Sequence, residues 1–313
     1  MNFTVSLNLS YLCNFRCNFC YLTKEQLSDK KRSKLEDIKN RLEEISKYKQ
    51  IEHIDLYGGE VGILSLKYLM SLDKLLRTYT DSINIITNLR LVNPYFLRND
   101  ITLSVSYDFE FRQDSEIVFN NISTLNKSVS ILTLAIPEIQ LKDPEELIEK
   151  LNTLPNIESW EVKKYSPNQS NDLDFSQEKY ENFILKLNSL KHKMNFEFMN
   201  STLIENSLNS NYIANSNSHI YITPDSKFGV LDFDKDSKEY FQELDSFEDY
   251  IKWSLKEQKD ISNNVFCSQC KYYNRETKMA QCYTEHLRVP TKDPKKFSCD
   301  GAYKLLSNFP LEK

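Results

Sequence analysis

Three cysteines lie close together near the start of the chain, at Cys13, Cys17 and Cys20. Thiolates spaced this closely on one loop can converge on a soft metal centre, and the candidates are zinc and an iron-sulfur cluster. A structural zinc site closes with four protein ligands, whereas a [4Fe-4S] cube held by three cysteines leaves one iron open to a substrate or cofactor. The spacing predicts a metal centre, with a chance triplet or three ligands of a zinc site as the alternatives.

A glycine-rich acidic segment, Gly58-Gly59-Glu60, follows an apolar run further along the chain. Glycine is scarce in this protein, with five among 313 residues, and the third member of the same group is Gly62. We expect backbone here that a β-carbon would obstruct, so that the main chain can approach a ligand closely. Glu60 can accept a hydrogen bond from an ammonium group. A tight turn after a strand would give the same tripeptide.

Four more cysteines lie near the other end of the chain, at Cys267, Cys270, Cys282 and Cys299. Four thiolates with one C-x-x-C pair make a closed zinc site or hold an iron-sulfur cluster, and the spacing does not separate these two possibilities. The total of seven is odd, which favours metal ligation or catalysis over disulfides in a chain that is not exported.

Composition excludes several classes of protein. Hydrophobic residues make up 40% of the chain and the mean hydropathy is -0.55, so no segment approaches the roughly 20 apolar residues of a membrane span. The N-terminal segment alternates apolar and polar residues without a cationic start, which predicts a strand and not an export signal. A net charge of -5 has the wrong sign for binding nucleic acid mainly through phosphates. We expect a cytoplasmic protein with no membrane or nucleic-acid partner.

The first half of the chain alternates short apolar runs with stretches of helical periodicity. Strands are predicted over 4–9, 53–57, 82–87, 101–106, 129–135 and 159–164, and helices over 34–47, 66–80, 114–125 and 144–151. Repeated βα units imply a parallel sheet, either doubly wound or an incomplete barrel, and both collect their chemistry at the C-terminal ends of the strands. The cysteine loop follows the first strand and Gly58-Gly59-Glu60 follows the second, so both are expected on the same edge.

The second half is organised differently. A helix is predicted over 176–193, an Asn/Ser-rich connector over 200–217, a hairpin of strands 220–223 and 228–231, and an acidic helix over 246–258. We therefore divide the chain into a core over 1–199, the connector over 200–217 and a small C-terminal domain over 218–313.

The run Cys13-x3-Cys17-x2-Cys20, with Phe19 before the last cysteine, resembles the signature of the radical S-adenosylmethionine (radical SAM) superfamily. Gly58-Gly59-Glu60, in its place after the second strand, is similar to the GGE motif of that family. The resemblance implies a partial (β/α)6 TIM-like barrel of α/β class. It also implies a [4Fe-4S] cluster on the three cysteines, with SAM chelating the open iron and the GGE segment gripping the SAM amino group.

Weaker similarities extend the implied SAM site. Asn88 is similar to the Thr-Asn that closes the third strand in relatives, and the fourth strand is similar to their Ser-x-Asp strand. Ser104 or Ser106 is thereby implied to touch the ribose or methionine, and Arg112 to pair with the methionyl carboxylate. Ordinary polar strand ends and an exposed arginine explain these residues equally well. Histidines are expected in surface or capping roles.

The hairpin and the four later cysteines (Cys267, Cys270, Cys282 and Cys299) resemble a shortened SPASM or twitch extension. Such extensions carry auxiliary iron-sulfur clusters in peptide-modifying radical SAM enzymes. The chain lacks the cysteines that flank the hairpin in the full SPASM pattern. One auxiliary [4Fe-4S] cluster is therefore implied, with zinc as the alternative.

The resemblance implies an enzyme, a radical SAM maturase of a ribosomally made precursor peptide. A flavodoxin- or ferredoxin-type donor would reduce the first cluster, SAM would yield a 5'-deoxyadenosyl radical, and the radical would take a hydrogen atom from the peptide. Three plus four cysteine ligands leave none as a second hydrogen donor, which favours a cyclophane, carbon-carbon or thioether crosslink over epimerisation. A peptide epimerase, a radical SAM enzyme acting on a nucleoside or small molecule, and a non-enzymatic zinc-binding protein are the alternatives. Because the first motif begins at residue 13, we expect no leader-binding domain before it.

Overall fold

Strands and helices alternate through the first half of the chain, as the periodicity predicts. The computed structural model describes residues 3–165, 173–209, 218–231, 240–274, 279–280, 282 and 302–310. Within them the strands are β1 (Phe3–Asn8), β2 (Ile51–Tyr57), β3 (Ile83–Thr87), β4 (Thr102–Ser106), β5 (Val129–Ala135), β6 (Ile157–Lys164), β7 (Glu197–Phe198), β8 (His219–Ile222), β9 (Phe228–Leu231), β10 (Phe241–Leu244), β11 (Tyr273–Asn274) and β12 (Met279–Ala280).

The helices lie mainly between the strands and in the last third of the chain. They are α1 (Leu35–Ser46), α2 (Leu66–Leu76), α3 (Ser115–Thr124), α4 (Pro137–Gln140), α5 (Pro144–Asn152), α6 (Gln177–Ser189), α7 (Met199–Leu208), α8 (Phe247–Asn263), α9 (Val265–Gln269) and α10 (Tyr303–Asn308). Short 3-10 turns span Gln26–Ser28, Val61–Ile63, Pro94–Leu97, Phe109–Phe111 and Lys191–Lys193.

Ten strands form one sheet in the order β10-β9-β8-β1-β2-β3-β4-β5-β6-β7. Strands β1 to β6 lie side by side in chain order and run parallel. This is the arrangement of a partial (β/α)6 barrel, and the α/β class predicted from the sequence is confirmed. Consecutive parallel strands bring their C-terminal ends to one edge, where the loops after β1 and β2 meet.

Local sequence sets the ends of several helices. The Ser65 hydroxyl accepts a hydrogen bond from the Tyr68 N–H at 3.3 Å and begins α2, and Asp143 begins α5 in the same way, with Pro144 at the first helical position. These are the side chains and the proline position that stabilise helix N-termini.

The two faces of β1 differ in chemistry. Phe3, Val5 and Leu7 are buried, and the Phe3 ring lies 5.6 Å from that of Phe247 on α8. Thr4 and Ser6 point to the other face, into a cavity. A parallel strand that is covered on both faces is normally apolar throughout. The polar face of β1 therefore marks the interior of the barrel as a binding space.

For the second half of the chain, the structure corrects one prediction, the connector, and confirms another, the hairpin. Part of the expected connector over 200–217 is helical, because α7 spans Met199–Leu208, and residues 210–217 lie outside the described part of the chain. The hairpin of β8 and β9 exists, but it has no sheet of its own, since β8 pairs in parallel with β1. The main sheet thus continues past residue 218, and the division into domains remains a prediction.

Among the described helices, none combines the length and apolar character that crossing a membrane requires.

Candidate active site at the cysteine loop

A cavity of about 720 Å³ opens at the C-terminal ends of the strands and extends into the barrel interior. Most of the residues predicted for the SAM site line it, and they come from loops far apart in sequence. They are Cys13, Cys17, Phe19, Cys20, Gly58, Gly59, Glu60, Asn88, Ser106 and Arg112. Ser104 is not part of this lining. Its hydroxyl donates to the Asn84 side chain at 3.2 Å.

The loop after β1 holds the three thiols half-buried at the cavity wall. The Cys13 N–H donates to the carbonyl of Leu27 at 3.1 Å, and the Cys20 N–H donates to the carbonyl of Cys17 at 3.2 Å. Backbone N–H groups also point at two of the sulfurs, from Phe15 to Cys13 and from Leu22 to Cys20, each at 3.4 Å. N–H donors of this kind favour sulfur in its negative, ligating form.

Burial acts in the opposite direction on the thiols. It raises the pKa of Cys13 to about 12 and also raises the pKa of Cys17 and of Cys20. A buried thiol with a high pKa loses its proton when a metal ligates the sulfur. The donor set, three thiols on one loop beside a large cavity, therefore fits a cluster that supplies positive charge.

The two glycines allow the GGE segment to lie directly against the cysteine loop. The Gly59 N–H donates to the carbonyl of Ser10 at 2.8 Å, and the Glu60 N–H donates to that of Leu12 at 2.9 Å. A β-carbon on Gly59 would lie 2.2 Å from the carbonyl oxygen of Tyr11. Gly58 has φ of +134°, and a β-carbon there would lie 2.5 Å from the Ser10 carbonyl oxygen. The sequence predicts that a β-carbon here would obstruct a close approach of the main chain, and the backbone that it would meet is that of the cysteine loop.

Glu60 is buried and forms three hydrogen bonds within the protein. One carboxylate oxygen accepts from the Gly62 N–H at 2.6 Å and the Thr87 hydroxyl at 2.5 Å, and the other accepts from the Asn88 N–H at 2.7 Å. Burial raises the pKa of Glu60, although the hydrogen bonds from Thr87 and Asn88 act to lower it. The carboxylate therefore links the end of β2 to the end of β3, and its contact with a SAM amino group stays a prediction.

Asn88 connects the third strand to the cysteine loop. Its amide nitrogen donates to the Asn14 side-chain oxygen at 2.8 Å and lies 3.9 Å from the Cys13 sulfur. The buried amide nitrogen of Asn14 has no hydrogen-bond partner within the described chain. A buried donor without a partner carries a free-energy cost, and a bound group that accepts a hydrogen bond would remove that cost.

Arg112 is half-buried, with 15% of its side chain exposed, so the alternative of an exposed arginine is wrong. Its guanidinium pairs with Asp108, which is fully buried, through Nε at 2.6 Å and Nη2 at 2.5 Å. The Nη1 atom lies 3.8 Å from the Cys17 sulfur, and the guanidinium carbon lies 5.3 Å from the centre of the Phe19 ring. Arg112 therefore places positive charge beside the cysteine loop. Its pairing with a methionyl carboxylate remains a prediction.

The later cysteines are described only in part. Cys267 lies on α9, Cys270 caps its C-terminal end, and Cys282 is half-buried. Cys299 lies outside the described residues. Across the described ranges, no three His, Cys, Asp or Glu side chains converge on the position of a single metal ion, and this holds for the first three cysteines as well. A [4Fe-4S] cluster does not require such convergence, because each of its cysteines ligates a different iron. The auxiliary cluster and the zinc alternative both stay predictions.

Several residues of the cavity were missed in the sequence analysis. An aromatic wall is formed by Tyr21, Tyr57 and Tyr240, in which the Tyr21 and Tyr240 rings stack with centres 4.0 Å apart. His219 also lines the cavity, so the surface or capping role expected for it is wrong. The alternation of Thr4 and Ser6 with apolar neighbours in a central strand was the available signal, because it assigns a polar face to the interior.

No protein-family model matches the chain. YydG of Bacillus subtilis (strain 168), named as a peptide biosynthesis protein, is 34% identical over 117 residues. That match covers 34% of this chain and 36% of YydG, so the chain spans about a third of the length of this relative.

Solved structures match over most of the chain. Native anSMEcpe with bound AdoMet and the Cp18Cys peptide has a TM-score of 0.67 at 13% identity, covering 98% of this chain and 95% of that one. The chain has the fold of anSMEcpe. SuiB of Streptococcus suis bound to its precursor peptide SuiA has a TM-score of 0.55 at 15% identity, covering 73% of this chain and 59% of SuiB. Both comparisons agree with the resemblance drawn from the two motifs.

Proposed function

We propose that this protein is a radical SAM enzyme that acts on a peptide. The observation that carries the proposal is the position of Cys13, Cys17 and Cys20, which share one loop at the wall of a cavity of about 720 Å³. The fold places that loop at the C-terminal ends of the parallel strands, where chemistry collects in barrels of this type. The GGE segment lies against the same loop through two backbone hydrogen bonds.

The residues present fit a [4Fe-4S] cluster with SAM. When bound, this pair supplies a 5'-deoxyadenosyl radical that takes a hydrogen atom from a C–H bond. Cys13, Cys17 and Cys20 hold the cluster, and Arg112 places positive charge beside the Cys17 sulfur. Glu60 fixes the GGE segment to the third strand. The surrounding apolar and aromatic side chains exclude water, which would otherwise compete for reactive species.

A peptide is the proposed substrate class. YydG carries a name in peptide biosynthesis, and anSMEcpe and SuiB have been solved with bound peptides. The cavity reaches past the cysteine loop to the polar side chains of β1, β2 and β8, which leaves room for a substrate residue beside a cofactor.

The proposed reaction is a net oxidation that closes a crosslink in the peptide. Its support is the cysteine inventory, because three ligands for the first cluster and four for an auxiliary centre use all seven thiols. Cys267, Cys270, Cys282 and Cys299 would hold an auxiliary iron-sulfur centre that could take up the surplus electron, and a flavodoxin- or ferredoxin-type protein would supply the first electron. Should one late cysteine not be a ligand, a second hydrogen donor would be present and epimerisation would again be an alternative.

Anaerobic purification followed by metal analysis tests the proposal. We expect about eight irons per chain for two clusters, or about four irons and one zinc if the C-terminal site is structural. With SAM and a strong reductant, the protein should release 5'-deoxyadenosine. Cys17→Ala should abolish this release, whereas Asn18→Ala, an exposed neighbour in the same loop, should keep it. A colourless protein that leaves SAM intact would overturn the proposal.

A further inference from the structure

A basic segment of the chain, residues 24–34, packs against the cysteine loop, and we name it the basic collar. Its charged side chains are Lys24, Lys30, Lys31, Arg32 and Lys34 against Glu25 and Asp29, whereas the whole chain has a net charge of -5. The carbonyl of Leu27 accepts the Cys13 N–H, and Leu27 lines the cavity, while the next residue, Ser28, is exposed. The collar therefore places one side chain in the cavity wall beside the cysteines and the next one at the protein surface.

Hydrogen bonds fix the collar to the cysteine loop. The guanidinium of Arg16, which lies between the first two cysteines, donates through Nη1 to the Cys13 carbonyl at 2.8 Å and through Nη2 to the Ser28 hydroxyl oxygen at 3.2 Å. The Ser28 hydroxyl in turn donates to the Lys24 carbonyl at 2.9 Å. The start of the collar is thus connected to the backbone of the cysteine loop through two side chains.

Most of the positive charge of the collar is accessible to a partner. Lys24, Lys30 and Lys34 are exposed and form no ion pair within the described residues. Lys31 is also exposed but pairs with Asp225. Exposed like charges that lie close together attract molecules of the opposite charge and raise the rate at which these molecules arrive. In a chain whose overall charge is negative, the collar is therefore a local site of attraction for an acidic partner.

Large apolar side chains are exposed next to the collar. The exposed fractions are 43% for Leu66, 42% for Leu91 and 38% for Val92. The Arg32 guanidinium carbon lies 4.0 Å from the centre of the Tyr68 ring, which joins the collar to the first turn of α2. The Asn93 amide donates to the Leu64 carbonyl at 2.9 Å and joins the loop after β3 to the same helix start. An apolar area beside a charged one has the composition of a protein docking surface.

We propose that the basic collar, with the apolar side chains beside it, is the docking surface for a small acidic redox protein of the flavodoxin or ferredoxin type. This inference rests on the proposed function. The docked protein gives up one electron, which passes to the cluster held by the three cysteines of the loop, and no bond forms or breaks. Redox partners meet through small, transient interfaces, and opposite charge speeds their encounter. A substrate residue has to enter the cavity, whereas a donor only has to approach the cysteine loop from outside, where the collar lysines are exposed.

Binding of a purified flavodoxin and of a purified ferredoxin to the full chain tests the surface without any turnover. Calorimetry at low salt should show that Lys24→Glu/Lys30→Glu weakens binding of the preferred donor at least about tenfold, and that about 0.5 M salt removes most of this difference by screening. Lys47→Glu/Lys74→Glu is the matched control. It makes the same change in net charge at the C-terminal ends of α1 and α2, at the opposite edge of the sheet, and should stay within about threefold of the wild type. Equal losses in the two double variants, or no binding of either donor to the wild type, would overturn the proposal.

A comparison of two reductants separates docking from damage to the site. With the reduced donor protein, Lys24→Glu/Lys30→Glu should release 5'-deoxyadenosine about tenfold more slowly than the wild type. With dithionite, a small reductant that needs no docking surface, the two proteins should be equal. Equal losses with both reductants would assign these lysines to the support of the cysteine loop and refute the proposal. If the wild type releases no 5'-deoxyadenosine with dithionite, the proposed function fails, and the binding measurement still decides the docking surface.

Discussion

The Cys13 side chain can ligate a cluster only as a thiolate. Its position is fixed by backbone hydrogen bonds, and burial raises its pKa to about 12. The protein alone therefore keeps the sulfur protonated, and a cluster has to supply the charge that removes the proton. The consequence is a thiol that is unreactive until it is ligated.

Alkylation of the cluster-free protein measures this directly. Because thiolates are the reactive species, Cys13 should react with iodoacetamide at pH 8 at least about tenfold more slowly than it does in the urea-unfolded chain. The rate should rise with pH until the pKa of about 12 is reached, since the thiolate fraction grows over that range. Peptide mapping by mass spectrometry gives the rate for each cysteine. Equal rates in the folded and unfolded chains would contradict the buried position.

Gly59 is the residue at which a single methyl group should disturb the whole site. In Gly59→Ala the new β-carbon would meet the carbonyl oxygens of Tyr11 and Leu12 at 2.2 and 2.3 Å. We expect a loss of about 3 kcal/mol in the free energy of unfolding and a fall in bound iron, measured by urea denaturation and metal analysis.

Gly229→Ala is the matched control for that substitution. Its β-carbon would meet the ring of Phe241 at 3.3 Å, a side chain that can move, and the site is in a different strand. We expect a change of about 1 kcal/mol or less and full iron content. Full iron content in Gly59→Ala would show that the cysteine loop can move to accommodate the new β-carbon, which would contradict this prediction.

At the level of elements, periodicity predicted most of the first half of the chain. The strand 129–135 was predicted with the bounds it has, and the helix 34–47 ends within a residue of α1 at both ends. Helix α7 was missed because its sequence is rich in Asn and Ser. Asn200 is buried there, and its side chain bonds both the N–H and the carbonyl of Val162 at 2.7 and 2.9 Å. Such a tertiary contact leaves no trace in composition.

The residues of the candidate site also include some that the sequence predicts and some that it does not. The cysteines and the GGE segment were found because their spacing is specific, and Arg112 was found through its place after β4. His219 was missed as a residue of the cavity, since its position there depends on the parallel pairing of β8 with β1. A pairing between strands so far apart in sequence cannot be read from a local pattern.

Helix α8 ties the last third of the chain to the barrel, which gives an element-scale prediction. Phe247 is fully buried, and its ring centre lies 5.6 Å from Phe3 and 5.9 Å from Phe228. Phe247→Ala should lower the free energy of unfolding by about 3–5 kcal/mol. Leu255→Ala on the same helix, where the side chain is 61% exposed, should change it by about 0.5 kcal/mol or less. Urea denaturation measures both, and similar losses would refute the packing of α8 on β1.

At the scale of the whole molecule, one sheet carries residues from both halves of the chain. Strands β8 to β10 extend the barrel sheet beyond β1, while the first cysteines lie on the loop after β1 itself. Of the late cysteines, Cys267 lies in α9, which follows α8, and Cys270 caps the C-terminal end of α9. Among the described residues, backbone hydrogen bonds tie the N-terminal site to β1 and the end of β2, and we expect this site to be independent of the C-terminal cysteines.

The double variant Cys267→Ala/Cys270→Ala tests this independence. We expect iron to fall from about eight to about four atoms per chain, with release of 5'-deoxyadenosine retained, because the loop of Cys13, Cys17 and Cys20 is held by β1 and β2. Loss of one zinc with iron unchanged would identify a structural C-terminal site. Loss of all iron would show that the two centres depend on each other.

The docking of the GGE segment on the cysteine loop also sets an order of events during synthesis. The three thiols leave the ribosome first, yet the backbone groups that fix their loop belong to Gly59 and Glu60. A nascent chain that ends before these residues has the sulfurs but not their arrangement. We therefore expect iron and sulfide to be loaded only after β1, β2 and the segment that follows β2 have folded together.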